Sequence, residues 1–321
     1  MQKKFKTLNE QIELLKKRGL TIPDEKRATR YLLTNNYYNI INGYGKYFQD
    51  KPDHYLPGTS FDEVINLYFF EEEIKKAVFN AILQIEHHVK SVVAYRFAEQ
   101  YPNQNYAFLE PKSYNQHKQK LLLAYNTISK FSLILKTNAK SPSSSIHHYI
   151  SKYKGIPIWV LMDYLDFGSL YHFTSVLPDN VLNKIAGDFV PFINENIPGE
   201  YLAIGFTPEI MLKFLKNIRE TRNICAHNNR LLDFKCHSDS PYYAPLHEKY
   251  NIYSQDHRTD FYSTFISMQC FLGKTEFAVL NNSLRKKFRS LSKHLNTISI
   301  NEVLDKMGFP KDWQLRPPLN Q

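Results

Sequence analysis

The stretch TSFDEVINLYFFEEEIKKAVFNAILQIEHHVKSVVAYRFAEQY, residues 59–101, decides the fold. Ser60 and Glu63 stand at capping-box spacing, and Ile74, Val78, Ile82, Ile85, Val89, Val92 and Val93 then recur at steps of three and four. A serine that accepts from an amide three residues on, answered by a glutamate reaching back, starts a helix. Apolar residues at that spacing give the helix one greasy face. The segment reads as a scaffold helix of roughly ten turns, with room for a kink. Glu86 follows Ile82 by four and precedes Val89 by three, so a carboxylate falls on or beside the apolar stripe, where a charge needs a partner.

Outward from that helix, residues 7–20 read as a short amphipathic helix, and a tyrosine- and glycine-rich block, NNYYNIINGYGKYF, fills 35–48. Its tyrosines can stack on bases, but at this spacing they read first as core packing with hydroxyls at the edge. Residues 136–157, rich in Ser, Lys and Pro at their start, read as an exposed loop or lobe boundary. Helical segments follow from Ile156, with a turn near Gly168, and another is expected over 259–281, ahead of LRKKFRSLSKHL and a proline-marked extended end. Strand patterns are scarce. The expectation is an all-α chain, a single domain over 1–321.

The 321 residues are 43% apolar and 14% aromatic, enough to bury a substantial core. Lys and Arg exceed Asp and Glu by 41 to 31, a net charge of +10, which suits a polyanionic partner such as nucleic acid. Three widely spaced cysteines make a disulfide framework unattractive and point to a reducing, cytoplasmic setting. The N-terminus lacks the apolar block of a signal peptide, and no segment has the roughly 18 uninterrupted apolar residues of a spanning helix, so no membrane partner is expected.

A second helix carries the candidate chemistry. In TPEIMLKFLKNIRETRNICAHNNRL, residues 207–231, Thr207 caps, Pro208 takes the first helical position and Glu209 adds an acid to the first turn. Met211, Leu215, Ile218, Arg222 and Cys225 form one seam, widened by Phe214, so Arg222 occupies a position where an apolar residue is expected. Its guanidinium must meet a carboxylate, a phosphate or water. Arg219, Asn223 and His227 share a polar strip beside that seam, while Arg222 and His227 lie roughly 140° apart around an ideal helix. Reach, fraying or a second copy must bring those two together. An architectural reading stands beside the chemical one: Arg222 paired with Glu86 across two helices, His227 capping a C-terminus, and Asn228–Asn229 forming the turn.

Arg222-Asn223-x-x-x-His227 resembles the R-x4–6-H motif of HEPN ribonucleases, in which the motif ends a core helix. The surrounding LKNIRETRNICAHNNRLL resembles more specifically the Abi family of abortive-infection proteins, of AbiD and AbiF type. NNYYNIINGYGKYF, the long helix, IPIWVLMDYLDFGSL and MGFPKDW resemble further blocks of that family, a span of about 30–313. One departure stands out: where relatives often carry Asp-Arg-x-x-Arg early in the long helix, this chain has FFEEEIKK.

The resemblance implies a HEPN-like helical bundle with extra terminal helices, acting as a metal-independent endoribonuclease with no cofactor, usually as a homodimer whose two motifs face each other. It assigns catalysis to Arg222, Asn223 and His227, with Glu86, Arg219, Asn228 and Arg230 supporting or binding RNA. An alternative is an RNA-binding module that holds a regulatory small RNA without cutting it. Cys225, His227, Cys236 and His237 follow no familiar zinc-finger spacing, and no metal site is expected.

Overall fold

Two capped helices, α1 (Leu8–Lys17) and α2 (Glu25–Asn35), lead into the long α3 (Phe61–Gln100) of the computed structural model, which describes residues 4–153, 155–197 and 205–320. Thr7, Asp24 and Ser60 start these helices by accepting hydrogen bonds from amides three residues on. The Ser60 cap is reciprocal, with Glu63 bonding back, as the sequence pattern predicts. Between α2 and α3 a π-turn at Tyr38–Asn42 and a tight turn at Gly45–Phe48 precede an antiparallel hairpin, Gln49–Lys51 with His54–Tyr55. Gly45 has a physical reason: a Cβ there would sit 2.6 Å from the Tyr55 hydroxyl.

Helix α3 is 40 residues long and unbroken. Of its apolar stripe, Ile74, Val78, Ile82, Ile85, Val89 and Val93 are buried. The rest of the chain wraps this axis as α4 (Lys118–Asn138), α5 (Ser145–Tyr153), α6 (Ile158–Met162), α7 (Phe167–Ser175), α8 (Asp179–Asn196) and α9 (Pro208–Ala226). The short α10 (Ala244–His247), α11 (Phe261–Ser267), α12 (Lys274–Ser292) and α13 (Ile300–Asp305) complete it. The α3 axis packs on α12, α9, α6 and α8. The fold is mainly α, as expected, with the hairpin as the sole sheet among the described residues.

One expectation gains detail and one shifts. Within 136–157, α4 ends at Asn138, a largely exposed turn follows, and α5 starts at Ser145, where Ile146 is buried and the hydroxyls of Ser144 and Ser145 meet Tyr164; Lys154 lies outside the described residues. The helix expected over 259–281 is two helices that break at Phe271–Gly273, where the Gly273 amide donates to Glu276 and starts α12 afresh. The basic run RKKFRSLS belongs to that second helix. The C-terminal chain is extended from Arg316, but Trp313 is anchored against Phe309, ring centroids 4.6 Å apart. Burying an aromatic of this size contributes about 2–3 kcal/mol. Among the described residues no helix is long and apolar enough to cross a membrane.

Candidate functional site

The Thr207 hydroxyl accepts from the Ile210 amide and Pro208 opens α9, as the local sequence requires. Met211, Phe214, Leu215 and Ile218 are buried along its seam. One turn later Arg222 breaks the apolar run, and its guanidinium lies 5.6 Å from the centre of the Phe79 ring of α3. Its Nε is buried with no hydrogen-bond partner, its Nη1 lies 3.5 Å from Asn223 Oδ1, and among the described residues no carboxylate pairs with it. A guanidinium with a buried, unbonded Nε and no anion is costly to hold.

Helix α9 ends at His227, whose amide donates to the Asn223 carbonyl. Asn228 then takes a left-handed φ of 52°, and the Asn229 amide donates to the Ile224 carbonyl. That is a Schellman ending, in which the residue past the cap turns left-handed so that the last carbonyls find donors. The architectural reading of Asn228–Asn229 is therefore correct. Asn223, His227, Asn228 and Asn229 are exposed, and among the described residues no side chain bonds the His227 imidazole.

Behind this exposed end the backbone is held firmly from α3. Glu71, fully buried, accepts from the Leu231 amide at 2.8 Å, the Leu232 amide at 2.6 Å and the Tyr44 hydroxyl. Burial pushes its carboxyl above the ordinary carboxylate range, and the Tyr44, Leu232 and Leu231 hydrogen bonds and the Lys75 charge pull it back only in part. Lys75, also buried, pairs with Glu72 at 2.6 Å and donates to the Asn228 side chain and, at 3.5 Å, to the Asn229 carbonyl. A buried acid and a buried amine on consecutive turns of α3 thus clamp the loop that follows the motif. Cys225 packs beside them, its thiol pushed up to about 12 by burial, which suits packing rather than nucleophilic work.

The other candidates divide. Glu86 is buried but pairs with Lys90 on its own helix at 2.9 Å, so the proposed Arg222–Glu86 pair is not formed. The physical reason is reach: a partner four residues along the same helix is already in place. Arg230 donates to the Gly43 carbonyl at 2.9 Å and ties the loop to the tyrosine–glycine block, a supporting role. Arg219 stacks on Tyr171 at 4.5 Å and lies 3.3 Å from His172 Nε2. Partial desolvation, then the Arg219 and Lys130 charges, hold His172 below the usual histidine range. Among the described residues no hydrogen bond joins Arg222 to His227. His237 pairs with Glu220 at 2.9 Å while Cys236 lies buried near Thr264, so these two face different surroundings.

Sequence reasoning overlooked Glu71, Lys75, Tyr44 and His172. A signal existed for the first two: acid and cation four apart, facing the helix seam. For Tyr44 and His172 there was none, since their partners come from distant chain.

These features define a class: a mainly α protein whose seam helix ends in an exposed Arg-Asn…His cluster, braced by a buried carboxylate from a neighbouring scaffold helix. The Abi-like protein family matches residues 30–233, more than half of the chain, and the chain belongs to that family. The match runs from α2 through the motif and stops at Asp233, so MGFPKDW and α10–α13 lie outside it. No curated protein and no solved structure shows a significant match. Within the matched span, FFEEEIKK supplies an acid and a cation four apart, Glu71 and Lys75, the pair that braces the loop after the motif.

Proposed function

We propose that this chain is a metal-independent endoribonuclease of the HEPN type acting in abortive infection, with its site completed by a second copy. One observation carries the reading. The chain commits a buried acid and a buried amine to hold a loop rigid, yet in front of it leaves Arg222 without an anion, its Nε unbonded, and the His227 imidazole without a described hydrogen-bond partner. Rigid backing behind unsatisfied polar groups is how a site is preorganised.

RNA brings its own nucleophile. The 2′-oxygen attacks the adjacent phosphorus and forms the 2′-O–P bond, while the P–O5′ bond breaks. The 2′ proton passes to a base and the departing 5′-oxygen takes up a proton. The products are a 2′,3′-cyclic phosphate and a 5′-hydroxyl. His227, whose imidazole can take or give a proton, serves in one or both proton transfers. Arg222 supplies the planar fork that grips non-bridging oxygens as charge builds on them. Asn223 donates to a phosphate oxygen or orients the imidazole. Because Arg222 and His227 lie roughly 140° apart around an ideal helix, two motifs facing across a dimer would bring one arginine to the other copy's histidine.

The test compares the parent with His227→Ala and Arg222→Ala, all verified as folded by circular dichroism, on cellular RNA with mapping of the ends. The reading expects 2′,3′-cyclic phosphate ends from the parent and a loss of about 10²-fold or more in either variant. Equal cleavage by parent and folded variants would refute it. RNA held tightly but left uncut by the parent and by both variants would favour the small-RNA-binding module.

A further inference from the structure

A pocket of about 190 Å³ opens between α4 and α7, lined by Leu123, Asn126, Thr127, Lys130, Ser169 and His172 over the buried ring of Phe131. It lies next to the motif helix, because His172 is the residue that Arg219 contacts. Arg219, Asn223 and His227 follow one another at intervals of four along α9, a polar strip about 12 Å long. That strip leads from the proposed scissile phosphate to the mouth of the pocket.

The lining decides what fits. Leu123, half exposed, and Phe131 supply apolar walls, and Asn126 and His172 supply polar edges that can each donate and accept. Lys130 is the one cation in the lining, and Asp166 already neutralises it at 3.3 Å. The Thr127 and Ser169 hydroxyls are committed to the Leu123 carbonyl and to Asp166. Within the lining a phosphate would find only a cation already paired with a carboxylate, Arg219 lying at the mouth, whereas a flat, neutral heterocycle would find the Leu123 side chain above a Phe131 floor and an amide edge. The volume is smaller than the roughly 300–1,000 Å³ of sites that enclose a drug-sized ligand. Single-stranded RNA is read in this manner, by bases splayed into pockets and hydrogen-bonded along their edges.

We propose that the α4–α7 pocket is a nucleobase subsite that reads one unpaired base of the RNA near the cut, with Asn126 and His172 as the specificity-determining groups. The inference rests on the endoribonuclease reading for its place on the RNA, but not for binding itself. The neutral state that desolvation and the neighbouring cations favour for His172 suits a base edge better than a phosphate.

The four ribonucleoside 3′-monophosphates serve as probes, titrated into full-length parent, Asn126→Ala and Asn126→Trp. Asn126 is exposed on α4, so neither change disturbs the core. The parent is expected to prefer one base by about tenfold or more, and both variants to lose that preference. In parallel, the ends left on random-sequence RNA should show one base enriched at a constant offset from the cut. Asn126→Ala should flatten that enrichment. Equal binding of all four probes by the parent, or an enrichment unchanged in both variants, overturns the subsite. If the parent cuts no RNA, the endoribonuclease reading fails, and the titrations alone decide the pocket: a preference lost in Asn126→Trp sustains it, and equal binding sinks it.

Discussion

Two glutamates on α3 lie in the same helix and are both buried, yet they do different things. Glu71 reaches across to another part of the chain and accepts from two consecutive backbone amides, so it determines where the loop after His227 lies. Glu86 turns to Lys90 one turn away and determines nothing beyond its own helix. A buried charge has structural authority in proportion to how far along the chain its donors come from. From the sequence, Glu86 is the more conspicuous of the two because it stands alone in an apolar stripe. Glu71 is masked by two acidic neighbours.

The contrast can be broken by substitution. The largest effect is expected from Glu71→Ala, which strands two amides and a tyrosine hydroxyl and leaves Lys75 with Glu72 alone; it should destabilise the fold by about 3–5 kcal/mol in urea denaturation. A loss below that of Glu86→Ala would erase the distinction. Lys75→Ala, which frees Asn228 and leaves Glu72 unpaired, should cost about 2–3 kcal/mol and weaken protection of the 228–232 amides in hydrogen exchange.

Glu86→Gln retains the shape and loses only a short-range pair, so it should shift stability by about 1 kcal/mol or less. Glu71→Gln sharpens the comparison through pH. The Glu71 pKa is raised on folding by burial, so the stability it contributes is complete below its ordinary value of 4.5 and is lost as pH rises through the folded value. Glutamine can still accept from both amides and has no such slope. The variant should therefore gain on the parent as pH rises from 4 to 7; parallel curves for parent and Glu71→Gln would contradict the assignment. Smallest in stability is His227→Ala. Its exposed imidazole bonds no described residue, so the thermal midpoint should stay put while the proposed RNA cleavage is lost by about 10²-fold or more.

Much of the fold was legible because its signals are local. Ser60 with Glu63, Thr207 with Pro208, and the apolar steps of α3 and α9 each involve residues within a few turns, where helix geometry dictates contact. The Asn228–Asn229 turn was legible for the same reason. What was not legible depends on through-space partners. The break before α12 followed from a Gly273–Glu276 cap placed inside an apparently continuous pattern, and the partner of Glu86 followed from competition between a near lysine and a far arginine. The candidate site divides along the same line: Arg222, Asn223 and His227 could be picked out from their spacing, but the Arg219–His172 contact could not.

By itself the sequence determined a mainly α chain with a long scaffold helix, a seam helix interrupted by Arg222, and a polar end after Cys225, because periodicity and caps act over three to five residues. Only the tertiary structure decided that Glu71 and Lys75 brace that end, that Glu86 does not, and that a pocket between α4 and α7 opens beside Arg219. Those outcomes depend on which distant backbone amides and rings are packed within about 3–5 Å of each group, and no local spacing encodes that distance.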